Sequence, residues 1–453
     1  MTYKPTRVHK ATGIYKPTRR ELLAVFGKTA VLSPLLGGIL LDSGCGGDGA
    51  PSVAPPGGGF NETDDQLMDD IERAAFAFFM QGADPNTGLM KDRSLAAGND
   101  TSTVSSIAST GFGLTTLCIG DSRGYADSTE IATLVKTTLN FLLNEMPNEN
   151  GFFYHFVELS SGARAFTSEV SSIDSSILMC GILTCRQHFS DPEIVDAATQ
   201  LYERVNWPWM LNGGTTFSQG WTPENGFLTT RWDTYSELMM LYLLAIGSTT
   251  NPVSPATWQA WARPSITFDG LTYISGSPPL FIHQYSHAWF DFRNKSDAFA
   301  NYFQNSITAT TAHKEFCISL DPQFPDYTDS LWGITSSDTV NGYLSWGGPP
   351  AMGPIDGSVV PCATGGSLPF LFSDCIQVLR NIRVNFPAAW QLYGFVDAFN
   401  PLTGWFDNDV VGIDVGIMAL MAENQRTGFV WQTFMQNPEA ANAMTLAGFT
   451  ADA

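Results

Sequence analysis

The sequence predicts an all-helical toroid of inner and outer helices joined by long, aromatic-rich loops. Three observations carry that expectation. Apolar residues recur at three- and four-residue spacing in nine segments after residue 63, whereas strand-like alternation is scarce. The connections over 207–232, 264–293 and 321–370 are long and rich in Gly, Pro and aromatic residues. Small helical bundles normally have short connections, so helices paired by long loops over some 390 residues fit a toroid better. No fixed-period repeat stands out, which argues against a solenoid.

Taken in order, the periodic segments are Asp65–Phe79, Ser105–Ile119, Ser128–Leu143, Ser171–Phe189 and Pro192–Val205. Thr234–Ile246, Ser296–Ile318, Gly412–Glu423 and Thr427–Met435 follow. Ser171 and Asp174 are spaced as a capping box, as are Thr234 and Glu237, and Gly247 stands where a helix would stop. Asp414 is placed to cap the segment that follows Gly412.

The 453 residues are 44% apolar and 15% charged, the balance of a chain that folds around a large core. Aromatics reach 12%, with 12 Trp and 13 Tyr, a surplus that suits a cleft stacking on sugar rings. Acidic residues outnumber basic ones 44 to 23, giving a formal charge of −21. Such a charge repels phosphate backbones and anionic lipid headgroups, so no nucleic-acid partner is expected. Gly111-Phe-Gly113 and Gly57-Gly-Gly59 are too short to be nucleotide fingerprints, and no Gly-x-Ser-x-Gly elbow follows a clear strand.

Residues 1–45 read as an export signal. Thr18-Arg19-Arg20-Glu-Leu-Leu23 has the form of a twin-arginine motif before a modestly apolar run to Leu41. Lys28 breaks that run and weakens a membrane-spanning reading. The alternative is a disordered basic start. Cys45 follows Leu-Asp-Ser-Gly, which resembles a lipoprotein cleavage site, although Asp42 stands where an aliphatic residue is expected. Lipidation of Cys45 is therefore carried beside simple cleavage, and a lipid anchor beside free export to the periplasm or cell envelope. Residues 46–62, rich in Gly, Pro and Ser, read as a tether, and 63–453 as one domain and a monomer. Cys118, Cys180, Cys185, Cys317, Cys362 and Cys375 remain in the mature part. Export permits disulfides, but several of the six lie in apolar helical stretches that suit buried thiols.

The chemistry-bearing candidates are carboxylates beside helix starts. Glu237 lies between aromatic neighbours, with Trp232 and Tyr235 before it and an apolar helix after it. It reads either as a helix cap or as an acid that protonates a sugar oxygen. Glu169, Asp174 and Asp414 share that setting, and Asp397 lies in the aromatic loop Tyr393–Asn400. A helix N-terminus favours the carboxylate form, so a general acid at Glu237 needs desolvation by its neighbours. His283, His287 and Asp291 recur every four residues and on a helix would share one face. With six His in the chain and no second ligand cluster, they read as sugar-binding or packing residues rather than metal ligands. No cofactor or metal is expected.

Several segments together resemble the bacterial glycoamylase-like family that includes glycoside hydrolase family 144. They are Thr87–Arg93, Ser106–Gly113, Gly151–His155, Ser168–Asp174, Arg231–Glu237, Phe281–Arg293, Trp332–Thr335, Asp356–Pro361, Gly366–Phe370, Gly394–Asn400 and Gly412–Asp414. The resemblance spans residues 63–437 in the family's order. It implies an (α/α)6 barrel and inverting endo-hydrolysis of β-1,2-glucan, with Glu237 as general acid. It points to an aspartate of the last third as base, Asp414 with Asp397 as rival. It also implies that Glu169 and Asp174 line the cleft, and that Trp232, Tyr235, His283, His287, Arg293 and Trp332 serve the oligo- or polysaccharide. A transglycosylase, an exo-glycosidase or a non-catalytic glycan-binding lipoprotein are the alternatives.

Overall fold

The computed structural model describes residues 63–98 and 100–452. The expected signal over 1–45, with Cys45, and the tether over 46–62 lie outside them. Among the described residues, ten helices of nine residues or more form the frame. They are α1 Asp64–Gly82, α2 Ile107–Arg123, α3 Ser128–Asn144, α4 Ser172–His188 and α5 Pro192–Glu203. Then come α6 Met239–Gly247, α7 Tyr302–Ser319, α8 Phe372–Asn385, α9 Gly412–Arg426 and α10 Pro438–Leu446.

Start signals act as their chemistry requires. Thr63, Ser106, Asp127, Ser171 and Asp191 each accept a first-turn N–H, and Gly124 closes α2 in the left-handed conformation. The helices are of two kinds. Helix α2 is buried at every residue from Ile107 to Gly120, α4 from Ser172 to Cys185, and α6 throughout; α9 is buried from Asp414 to Asn424. By contrast, α1, α3, α5 and α8 bury one face. The buried helices carry Ser, Thr and Gly because they approach closely. A Cβ on Gly181 would stand 2.2 Å from the Gly111 carbonyl oxygen, so α2 and α4 meet backbone to backbone. Thr116, Ser176 and Thr184 hydroxyls bond the carbonyl four residues back, which keeps them satisfied inside. Helix α9 packs on α1 and α2, α2 on α4, α4 on α5, and α6 on α10.

Short antiparallel ribbons tie the entrances of the buried helices together. Arg93–Leu95 pairs with Asp409–Val411 before α9, and Val104–Ser106, before α2, pairs with Phe156–Glu158. Val170–Ser171, before α4, pairs with Gly220–Thr222, and Phe217–Ser218 pairs with Arg231–Trp232. A ribbon of two or three residue pairs thus stands ahead of each of α2, α4, α6 and α9.

Several expectations are corrected. Helix α6 starts at Met239 rather than Thr234, and Leu238 at its cap position makes no side-chain cap bond. Helix α7 starts at Tyr302 rather than Ser296. Leu280–His283 and Tyr285–Ala288 are two 3-10 turns, so His283, His287 and Asp291 share no helical face. Asp414 sits within the first turn of α9, behind Val411, and does not cap it. The six cysteines among the described residues are buried, with Cys118 and Cys185 sulfurs 3.6 Å apart.

Candidate active site

Glu237 lies in a turn two residues ahead of α6, its side chain nearly covered. Thr234 Oγ1 contacts Asp233 Oδ1. The turn is fixed from behind by Ser286, whose Oγ donates to the Glu237 carbonyl (2.7 Å) and accepts from the Met240 N–H (3.0 Å). An open cleft of ≈ 150 Å³ faces it, lined among others by Gln219, Arg231, Trp232, Asp233, Phe281 and Ile282. The buried Trp232 indole donates from Nε1 to Ser172 Oγ (2.9 Å), joining this wall to the start of α4.

At that start, Ser171 Oγ accepts the Asp174 N–H and bonds the Asp174 carboxylate, so Ser171 caps α4 as expected. His155 bridges the two neighbouring acids: Nδ1 is 3.3 Å from Glu169 Oε1 and Nε2 is 3.7 Å from Asp174 Oδ2. The close approach of Glu169 to Gly220, whose Cβ would meet Glu169 Cγ at 2.6 Å, sets this trio beside the Gln219 wall of the cleft.

A second group gathers at the entrance of α9. Arg93 Nη1 is 2.6 Å from Asp338 Oδ2 and 3.6 Å from Asp409 Oδ2, while its Nε is 3.2 Å from Asp92. Asp338, Asp407 and Asp409 present one oxygen each within 4.8 Å of one another, and Arg93 supplies positive charge there. The Asp338 N–H donates to Asp397 Oδ2 (2.5 Å). Burial comes first in pushing Asp397 well above the carboxylate range. The charges of Asp414, Asp338 and Asp407 and a hydrogen bond with Asp414 add to it. Asp397 therefore holds its proton toward Asp414, whose Oδ1 also accepts from Cys362 Sγ (3.2 Å).

The structure moves five expected sugar contacts away from solvent or away from the cleft. Tyr235 contributes to the cleft wall, but its side chain is wholly buried, the hydroxyl on His283 Nδ1 (3.2 Å) and the ring parallel to Tyr302. Burial pushes both His283 and His287 down to about 3, so both are neutral packing residues; His287 Nε2 meets Ser306 Oγ. Arg293 pairs with Asp291 and covers Trp431 at 4.0 Å, and Trp332 is fully buried near His313. Arg93 and His155 lay in segments that carried the family resemblance, and nothing in their spacing marked them as charged hubs. Asp338, Asp407 and Asp409 lay outside every motif. The alternation in Asp407-Asn-Asp409 just ahead of a glycine-started helix was the available signal.

A helix-rich domain that gathers acids around the entrances of its buried helices is the class that fold and site define. Residues 229–438, a little under half of the chain, match the Glycoamylase family model, described as "Putative glucoamylase". That span holds Glu237, Asp338, Asp397 and Asp414. The chain is 26% identical over 418 residues to an exo beta-1,2-glucooligosaccharide sophorohydrolase (non-reducing end) of Parabacteroides distasonis. That match takes in 83% of this chain and 57% of the relative, so the chain spans little more than half of that protein's length. Among solved structures, a "putative glucoamylase" of Bacteroides uniformis has TM-score 0.81 at 25% identity, covering 86% of this chain and 98% of that one. An endo-beta-1,2-glucanase of Chitinophaga pinensis shares the fold at TM-score 0.79 and 24% identity, with 86% and 99% covered.

Proposed function

We propose that the protein is a glycoside hydrolase of β-1,2-linked glucan, built on an (α/α)6 toroid. The observation that carries this reading is Glu237, nearly covered, set in the turn just ahead of α6 and lining an open cleft walled by Trp232. The sugar-active relative supports the substrate class. The burial contrast between α2, α4, α6 and α9 and the half-buried helices supports the inner and outer layers.

In this mechanism Glu237 gives its proton to the glycosidic oxygen as that oxygen leaves the anomeric carbon. Asp414 takes a proton from the water that attacks the opposite ring face, so the product anomer is inverted. Inverting enzymes hold the two carboxyl groups ~6.5–9.5 Å apart to admit that water. The hydrogen bond with Asp397 and the place of Asp414 in the N-terminal turn of α9 support the base role for Asp414. Glu169, His155 and Asp174 bind sugar hydroxyls along the cleft.

Endo action is the reading retained from the sequence. Exo release of a disaccharide is the second reading, favoured by the name of the 26% identical relative. The proposal includes export from the cytoplasm, which the twin-arginine form of Thr18–Leu23 supports, with Cys45 as candidate anchor. The test is incubation with linear glucans of defined linkage, following product size and anomer. Hydrolysis of the β-1,2 chain to mixed oligosaccharides of inverted anomer supports endo action. A single disaccharide product moves the reading to exo. No cleavage of any glucan overturns it.

A further inference from the structure

Phe166 and Thr167 are consecutive non-glycine residues in the left-handed region, at φ +53° and +55°. Side chains with a Cβ enter that region at a cost, and a β-branched threonine more so. The surroundings hold them there. Arg164 Nε donates to the Ser168 carbonyl (2.5 Å), its Nη2 to the Thr167 carbonyl (2.6 Å) and its Nη1 to Glu224 (2.6 Å). Ser168 Oγ in turn donates to the Phe156 carbonyl (3.0 Å) and accepts its N–H (3.3 Å).

The result is an aromatic ring left 52% exposed among the described residues. Core packing does not explain that ring, and glycine or asparagine would take the same backbone at lower cost. Its position does. The Phe166 ring meets the edge of Phe156 at 6.0 Å, and Phe156 stacks on His155 at 3.9 Å. His155 is the centre of the Glu169–Asp174 trio beside the Gln219 wall. Glu224, which Arg164 holds, lies just after the ribbon strand Gly220–Thr222 that pairs with the α4 entrance.

We propose that Phe166 is a stacking platform for a pyranose ring of the glucan, a subsite lying outward of the Glu169–His155–Asp174 trio. The inference rests on the carbohydrate reading above. A ring face offers an apolar surface that the C–H side of a sugar covers, while the trio takes its hydroxyls. The strained turn is the means of presenting that face.

The test compares Phe166→Ala, Phe166→Gly and Phe166→Trp in the full chain against β-1,2-glucan oligosaccharides of increasing length. Phe166→Ala should raise KM roughly three- to tenfold on chains long enough to reach the turn, leaving kcat and short-chain turnover unchanged. Phe166→Trp should restore the wild-type KM. Phe166→Gly should match Ala in KM yet melt no lower than wild type, since it relieves the strained φ. An active wild type whose Ala variant keeps its KM at every length overturns the platform alone. A lowered melting point in the Gly variant, with all chain lengths affected equally, overturns it in favour of a structural turn. A wild type that cleaves no glucan overturns the enzymatic reading and the platform with it.

Discussion

Arg93 Nη1 sits 2.6 Å from Asp338 Oδ2, and this ion pair joins the strand ahead of α2 to the loop that supports Asp397. The chain of contacts runs from the guanidinium through Asp338 to Asp397 and on to Asp414. Replacing Arg93 with Met removes the cation that faces Asp92, Asp338, Asp397 and Asp409. Like charges then raise carboxyl pKa values. A base must be ionised to act, so the acidic limb of the kcat/KM profile should move to higher pH. Arg93→Lys should move it less. An unmoved limb with only a lowered melting point would make Arg93 a fold residue.

The Asp397–Asp414 pair separates the two rival bases. Asp397 holds a proton in its buried place, so Asp397→Asn mimics the state it already occupies and should keep the fold and much of the rate. Asp414→Asn removes the base and should cost ~10²–10⁴-fold in kcat. Initial rates of the two variants decide the assignment, and the reverse ranking would make Asp397 the base.

Glu72 gives a pH-dependent stability far from these acids. It is fully buried, and burial first, then the Glu423 charge, push it up to about 8 against the pull of Arg426, Tyr125 and Arg123. Its folded pKa thus lies above the unfolded value of about 4.3. Between these values the unfolded chain ionises while the fold keeps the proton, so this group lowers stability progressively as pH rises through the window. Glu72→Gln does not titrate. Its melting temperature relative to wild type should climb from pH 5 to pH 8 and level off above, by at least about 1 kcal/mol in stability. A constant difference across that range would contradict the assignment.

Gly181→Ala should destabilise by about 1–3 kcal/mol, since its Cβ would meet the Gly111 backbone and α2 must shift from α4. Urea denaturation measures it. A neutral outcome would mean the two buried helices are less closely seated than described.

The frame was legible where a helix shows one apolar face. Asp65–Phe79, Ser128–Leu143 and Pro192–Val205 fall within a few residues of α1, α3 and α5. The entrance of α6 was misplaced because Trp232 and Tyr235 run into the apolar stretch of the helix, whereas Arg231–Ser236 is spent on a ribbon and turn. Helix α8 was missed although Cys375, Ile376, Leu379 and Ile382 share a face, because β-branched residues and a missing cap obscure its start. Of the site, Glu237, Asp414 and Asp397 could be singled out from their setting near helix starts and aromatics. The hub role of Arg93 could not. It arises from ribbon pairings between residues more than 300 positions apart, such as Arg93 with Val411.

The most direct measurement is the initial rate and melting temperature of Glu237→Gln on linear β-1,2-glucan. Because Glu→Gln keeps the size of this nearly covered side chain, the account predicts a melting temperature close to wild type with turnover reduced ~10²–10⁴-fold. Part of that rate should return on a substrate whose leaving group needs no proton. Full turnover on the natural glucan by Glu237→Gln would contradict it.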